Sequence, residues 1–137
     1  MKRILTITAA VLLLALPALA QEQQQQKINK KNLVIKEWNT DAKSNVSILD
    51  HQTTYNPDGK KIEEIEYSRE GQKWRKRYEY GADGKVSREL VYDERNKLVT
   101  VKKFEYNEFG RKKKQYNYDG KGKLVTIKVF EYITQDA

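Results

Sequence analysis

Five basic residues at one position of a short repeat are the strongest candidates for a functional site in this sequence. Each lies four residues before a tyrosine, so alternation along a strand predicts that they share one face of a sheet. They are Lys76, Arg88, Lys102, Lys114 and Lys128. A row of cations of this kind is typical of binding to an anionic partner, such as an acidic glycan, the phosphates of lipopolysaccharide or an acidic protein surface.

Aromatic side chains accompany this basic row and complete the candidate ligand-binding set. They are Trp74, Tyr78, Tyr80, Tyr106, Tyr116 and Tyr118. Like charges on neighbouring strands repel by roughly 0.2–1 kcal/mol per opposed pair, and an anionic partner would offset that cost. In the alternative interpretation, the lysine stems lie along tyrosine rings with their ammonium groups in water, and they protect a flat sheet from edge-to-edge pairing.

Catalytic and metal chemistry have little support in the residues present. The chain has no cysteine, its only histidine is His51, and no Gly-x-Ser-x-Gly phrase occurs. One histidine with scattered carboxylates does not form a ligand cluster for a metal. Glu63, Glu64 and Glu66 offer carboxylates for glycoside hydrolysis, but strand alternation divides them between two faces. We therefore expect a non-enzymatic protein without a cofactor.

The residues of this set are spaced by a repeated phrase: a tyrosine, three residues, a glycine or asparagine, and then lysine, arginine or glutamine. The tyrosines that open this phrase, with Tyr132 at the end of the series, are 12 to 14 residues apart, which is one strand plus one turn. The predicted strands of the repeat are Lys61–Tyr67, Trp74–Tyr80, Val86–Tyr92, Leu98–Tyr106, Lys112–Tyr118 and Leu124–Tyr132. The sequence of Leu98–Tyr106 recurs in similar form 26 residues later as Leu124–Tyr132. The repeating unit is therefore either one strand with its turn or a hairpin of two strands.

Two further strands are predicted before the repeat, at Leu33–Trp38 and Val46–Tyr55. The short connections favour antiparallel pairing of consecutive strands, so the predicted fold is all-β. We expect an antiparallel meander of about eight strands in a twisted, curved, largely single-layer sheet. The turn glycines should have positive φ or occupy tight turns. These glycines are Gly59, Gly71, Gly84 and Gly110.

Two strands are apolar on the face opposite the basic row, which suggests a second class of function. The residues concerned are Val99, Val101, Val125, Ile127 and Val129. They predict that these two strands are buried on both faces. A protein of this kind could serve as an accessory subunit that docks by its apolar strands onto a larger envelope protein.

The N-terminal stretch from Met1 to Ala20 has the pattern of a secretory signal peptide, with Lys2 and Arg3 before an apolar segment and Ala18-Leu19-Ala20 at its end. The apolar segment is shorter than the ~20 residues that a membrane span requires. We expect residues 21–32 to form a flexible leader rich in Gln and Lys, and residues 33–137 to form the β-repeat domain. The predicted location is the periplasm or the exterior, without a membrane span after signal removal, and this location argues against nucleic acid despite the net charge of +8. The sequence leaves the oligomeric state undetermined.

The repeated tyrosine phrase resembles the tyrosine–aspartate repeats of Rhs proteins and is similar to the repeats of MORN-like antitoxin proteins. Tyr-Asn at 55–56 and 106–107 and Tyr-Asp at 92–93 and 118–119 carry the resemblance, which extends from Tyr55 to Tyr132. The whole chain looks like short, secreted bacterial proteins built from such β-repeats. The period is shorter than that of Rhs repeats, and there are too few repeats for the closed shell those proteins form. The resemblance implies β-repeat architecture and contributes no catalytic residue.

Overall fold

The computed structural model describes residues 27–136, which form one antiparallel sheet. The predicted signal peptide lies outside this range. Eight strands follow each other in sequence order across the sheet, and the strands at its two edges do not pair with each other. They are β1 (Val34–Thr40), β2 (Ser47–Tyr55), β3 (Lys61–Ser68), β4 (Gly71–Tyr80), β5 (Val86–Tyr92), β6 (Leu98–Tyr106), β7 (Lys112–Asp119) and β8 (Leu124–Val129). The predicted all-β meander is confirmed.

The tight turns after β2, β5, β6 and β7 use the same local chemistry, an Asn or Asp side chain that accepts two backbone amides of the turn. In the turn after β2, the side-chain oxygen of Asn56 accepts the backbone amides of Asp58 and Lys60, both at 3.0 Å. Gly59 then adopts a φ of 75°, a backbone conformation that residues with a Cβ rarely adopt. The other predicted turn glycines also have positive φ, and Asn96 takes the equivalent place with a φ of 64°. The prediction for the turns is therefore confirmed.

No hydrophobic side chain is fully buried anywhere in the described part of the chain, and Thr53 is its only buried residue. The prediction that the apolar strands are buried on both faces is wrong. Val99, Val125, Ile127 and Val129 are 39%, 62%, 50% and 62% exposed. No second layer covers the sheet, and β8 is an edge strand with only β7 beside it. Within residues 27–136 there is also no helix that is long and apolar enough to cross a membrane.

A bulge near the start of each strand from β3 to β8 determines which side chains share a face. Glu79 pairs with Arg88, but the next residue, Tyr80, pairs with Val86, so Ser87 is an extra residue in β5. Directly paired residues lie on the same face, and an extra residue moves the following side chains to the other face. The corresponding extra residues in the other repeat strands are Ile62, Lys73, Val99, Lys113 and Val125.

These bulges place the successive tyrosines of the repeated phrase on opposite faces of the sheet. We call the side that carries Trp74, Lys76, Tyr78 and Tyr80 face A, and the side that carries Arg75, Arg77 and Glu79 face B. The tyrosines on face A are Tyr55, Tyr80, Tyr106 and Tyr132, and those on face B are Tyr67, Tyr92 and Tyr118. The structural repeat is thus a two-strand hairpin.

Candidate functional site

The predicted basic row is divided between the two faces, so the prediction of a single row is wrong. Arg88 pairs with Glu79 on face B, whereas Lys102 pairs with Glu89 on face A. Lys76, Lys102 and Lys128 lie on face A, and Arg88 and Lys114 lie on face B. The physical reason is the bulge, which reverses the alternation once in each strand from β3 to β8.

The aromatic candidates are divided in the same way. Trp74, Tyr78, Tyr80 and Tyr106 lie on face A, and Tyr116 and Tyr118 lie on face B. Face A therefore keeps most of the predicted set, in two regions. The first region spans β3 to β5, and the second spans β6 to β8.

In the β3–β5 region of face A, cations and carboxylates neutralise each other. The ammonium of Lys61 lies 2.9 Å from Glu64, and that of Lys76 lies 3.4 Å from Glu89. His51 lies 3.8 Å from Glu64, and its ring meets that of Trp74 edge to face at 6.1 Å. Because each cation here has an anionic neighbour, this region offers little attraction to an external anion.

Tyr78 and Glu64 form the polar centre of this region. The hydroxyl of Tyr78 donates a hydrogen bond to the carboxylate of Glu64. Partial burial and this carboxylate both raise the pKa of Tyr78 above its ordinary value of 10.0. Burial opposes ionisation of Glu64, but the Tyr78 hydroxyl and the Lys61 ammonium outweigh it and lower the pKa of Glu64 below 4.5.

The two basic candidates on face B have different surroundings. Arg88 forms a two-pronged pair with Glu79, at 2.7 and 2.8 Å, and this hydrogen bonding lowers the pKa of Glu79. Lys114 lies opposite Glu105, whose carboxylate accepts the hydroxyl of Tyr116 at 2.9 Å. Face B therefore has carboxylates beside both of its predicted basic residues.

The β6–β8 region of face A contains a shallow groove of about 420 Å³. Lys102 on β6 and Lys128 on β8 line it together with Val99, Val125 and a set of amide and hydroxyl groups that we call its floor. These groups belong to Thr100, Gln115, Asn117 and Thr126. The floor is internally ordered, because the Gln115 amide donates to Asn117 at 2.8 Å and the Asn117 amide donates to Thr126 at 2.9 Å. We call this set the amide groove.

The balance of cations and carboxylates around the amide groove differs from that of the β3–β5 region. Lys102 lies 3.8 Å from Glu89, which it shares with Lys76. Lys128 has no carboxylate partner among residues 27–136, and its ammonium lies 5.5 Å from the ring centre of Phe130. Asp119 also lines the groove, but its carboxylate accepts the backbone amides of Lys121 and Lys123 at 2.9 Å. The groove therefore presents the ammonium of Lys128, which no carboxylate of the described residues neutralises, and that of Lys102, which shares Glu89 with Lys76.

Aromatic and basic side chains continue from the amide groove to one end of face A. The ammonium of Lys112 lies 4.4 Å from the ring centre of Phe104, which is within the range of a cation–π contact. Lys85 lies over Tyr106 at 5.5 Å, and Arg111 lies over Tyr132 at 5.4 Å. Sequence reasoning did not identify Lys112 or the groove amides. The only signal in the sequence was at positions 115 and 117, where this repeat has amide side chains and most of the other repeats have charged ones.

The contacts of the turn lysines explain the repeated tyrosine phrase. Lys60 lies over the ring of Tyr80 at 5.2 Å, just as Lys85 lies over Tyr106. The Tyr80 hydroxyl donates to the carbonyl of Lys61 at 2.6 Å, and the Tyr106 hydroxyl donates to that of Val86 at 2.7 Å. A basic residue in each of these turns thus packs on the tyrosine two strands later. Packing of lysine on tyrosine accounts for these turn residues.

A larger concavity, of about 630 Å³, lies between the β1–β2 turn and the β3–β4 turn. It includes none of the predicted site residues. Its carboxylate at Asp41 accepts the backbone amide and hydroxyl of Ser44, at 2.7 and 2.9 Å, and these bonds lower its pKa. Residues 27–136 contain no group of three or more side chains suited to hold a metal ion.

Comparison with models of known protein families gives no match, and no curated protein sequence matches the chain significantly.

Proposed function

We propose that this protein is a non-enzymatic binding module of the cell envelope, and that the amide groove contacts an anionic glycan. The observation that carries the proposal is the placement of Lys102 and Lys128 on either side of a floor of amides and hydroxyls. Ammonium groups attract carboxylates, sulfates or phosphates, while amides and hydroxyls offer both donors and acceptors to sugar hydroxyls. Export by the N-terminal signal is part of the same proposal.

The spacing of the two lysines indicates the kind of anion that fits. Lys102 and Lys128 lie on strands separated by β7, and neighbouring strands lie about 4.8 Å apart, so their backbones are roughly 10 Å apart. Lysines based on separate strands offer two points of attachment along a ligand rather than one. An extended polyanion with charges on successive units can occupy both, which favours an acidic polysaccharide over a single acidic sugar.

A salt titration tests the proposal. Binding to polygalacturonate, a carboxylated polysaccharide, is measured by isothermal titration calorimetry at low and at physiological ionic strength, with neutral dextran as the control. Electrostatic recognition should weaken steeply as salt is added, because exposed charges are screened beyond about 10 Å at 0.1 M. Equal binding of dextran, or no binding of polygalacturonate at low salt, would count against the proposal.

The exposure of β8 favours a second candidate function. Val125, Ile127 and Val129 are at least half exposed on an edge strand, which suits an accessory subunit that docks by its apolar strands onto a larger envelope protein. Docking of this kind buries apolar surface, so added salt should leave it intact. The salt titration therefore distinguishes the two candidates.

A further inference from the structure

A second groove, of about 380 Å³, lies on face B, on the opposite side of the sheet from the amide groove. The apolar and aromatic residues that line it are Leu98 and Val101 on β6 and Tyr118 on β7. Val101 pairs directly with Tyr118, and Leu98 pairs with Tyr92, so these side chains share face B. The volume is at the lower end of the roughly 300–1,000 Å³ that small-molecule sites occupy. We call this set the face B groove.

The turn between β7 and β8 forms part of the lining of the face B groove, from Asp119 to Gly122. A Cβ at Gly120 would collide with the carbonyl oxygen of Leu98, so a glycine is what lets the turn come this close to β6. The carboxylate of Asp119 accepts the backbone amides of Lys121 and Lys123 at 2.9 Å, which holds it within the turn. Backbone packing thus fixes this side of the groove.

Two lysines supply positive charge at the face B groove. Lys103 and Lys121 both line it and are exposed, and neither forms an ion pair with a carboxylate of residues 27–136. The ammonium of Lys103 lies 5.3 Å from the ring centre of Tyr118, which places its charge beside the aromatic part of the lining. An anionic group bound next to this ammonium would gain an attraction that the protein itself does not satisfy.

The carboxylates of face B on β4 and β6 already have other partners. Glu79 binds Arg88, the residue directly opposite Lys103, through two hydrogen bonds of 2.7 and 2.8 Å. Glu105, which follows on the same strand as Lys103, accepts the hydroxyl of Tyr116 at 2.9 Å. Neither carboxylate forms an ion pair with Lys103, so the charge of this lysine remains available to a ligand.

We propose that the face B groove binds a small amphiphilic acid, with its anionic group at Lys103 and its apolar body against Leu98, Val101 and Tyr118. The lining is divided in the same way as such a ligand, into an apolar part that removes the body from water and a cation that pairs with the acid. Neither part suffices alone, because an exposed lysine attracts any anion and a shallow apolar surface attracts any apolar molecule.

The two grooves of the sheet select different ligands. The amide groove offers amides and hydroxyls to sugar hydroxyls, whereas the face B groove offers Leu98 and Val101, which a polysaccharide cannot match with apolar surface. The proposal does not depend on glycan binding, since the grooves lie on opposite faces and have different lysines.

An NMR titration with naphthoate, an aromatic body that carries one carboxylate, tests the proposal. Naphthylmethanol has the same body without the charge, and acetate has the charge without the body. Naphthoate should bind saturably at one site, naphthylmethanol should bind about tenfold more weakly, and acetate should not bind measurably. The methyl signals of Leu98 and Val101 should shift in the ring current of the probe, whereas those of Val99 and Val125, which line the amide groove, should not.

Two variants with equal loss of charge separate the face B groove from the amide groove. Lys103→Gln removes the cation of the face B groove, and Lys102→Gln is the matched control, because it removes the same charge from the neighbouring residue on face A. Lys103→Gln should weaken naphthoate binding about tenfold, and Lys102→Gln should leave it within about twofold. Polygalacturonate binding should respond in the opposite sense, so the failure of one proposal is distinguishable from the failure of the other.

Several results would overturn the proposal. They are the absence of saturable naphthoate binding, equal affinity for naphthoate and naphthylmethanol, equal weakening by the two variants, and methyl shifts on both faces of the sheet. Sedimentation with vesicles of phosphatidylcholine and phosphatidylglycerol covers another occupant of face B. Binding to these vesicles without binding of naphthoate would also overturn the proposal, because it would assign this face to a lipid surface.

Discussion

Replacing Gly84 by alanine should destabilise the protein about two to three times as much as the same change at Gly122. Both glycines occupy equivalent turns and have positive φ, of 78° and 84°. A Cβ at Gly122 would have nothing within 4 Å, whereas a Cβ at Gly84 would lie 2.7 Å from the ammonium of Lys60. The backbone cost is therefore shared by the two variants, and the displacement of Lys60 is specific to Gly84.

The contacts of Lys60 set the size of the difference. An alanine in the left-handed region costs about 1 kcal/mol, and both variants should lose that amount. Lys60 donates to the carbonyl of Gly84 at 3.0 Å and lies 5.2 Å from the ring centre of Tyr80. Loss of this hydrogen bond and cation–π contact adds roughly 1–2 kcal/mol. The free energy of unfolding should fall by about 1 kcal/mol for Gly122→Ala and by about 2–3 kcal/mol for Gly84→Ala.

Urea unfolding followed by tyrosine and tryptophan fluorescence measures these differences if the m-value is unchanged. The control is Lys60→Ala, which removes the displaced side chain in advance. In that background, Gly84→Ala should cost only the backbone amount of about 1 kcal/mol. Equal costs for Gly84→Ala and Gly122→Ala in the wild-type background would refute the role assigned to Lys60.

Three further predictions concern pH and export. Stability should fall as the pH rises above 10, because the unfolded chain loses the Tyr78 proton there while the folded protein, in which the pKa of Tyr78 is raised, retains it. The Tyr78→Phe variant should lose less stability at alkaline pH, as measured by unfolding followed by circular dichroism. Stability should also fall as the pH drops below 4.5, since the pKa of Glu64 is lowered in the folded protein and its ionised form is lost on acidification. The Glu64→Gln variant should show a weaker dependence of stability on acid pH. An acid profile identical to that of the wild-type protein would contradict the assignment. Intact-mass measurement of the exported protein should give a chain that begins at Gln21, and a retained Met1 would contradict the predicted cleavage.

The number of strands, their order and the turn conformations could be predicted from the sequence because each has a local signal. The turn at Asn56–Gly59 combines proline, an Asn side chain that caps the turn and a glycine with positive φ. A strand between two such turns has only one way to pair with its neighbours when the connections are short. The single-layer architecture followed from the charged residues on both faces.

The division of the basic row between faces could not be predicted, because the bulges have no common residue type. The extra residues Ile62, Lys73, Ser87 and Lys113 are aliphatic, basic and polar. A bulge is determined by how the turn aligns two strands, and one inserted residue reverses every side chain beyond it. The amide groove was missed for the same reason, since its residues come together only in the observed register.

The most direct test of the proposed function compares two variants with equal loss of charge on opposite faces. Lys102→Gln with Lys128→Gln removes both ammonium groups of the amide groove. Lys103→Gln with Lys114→Gln removes two from face B, and Lys103 is the immediate neighbour of Lys102 in β6. Both variants should stay folded, since all four lysines lie on a sheet without a buried core.

Binding of each variant to polygalacturonate at low ionic strength is the decisive measurement. The face A variant should lose binding, and the face B variant should retain it within about twofold, because a groove on face A does not contact Lys103 or Lys114. Equal weakening of the two variants would show that binding follows net charge alone, and it would contradict a site at the amide groove.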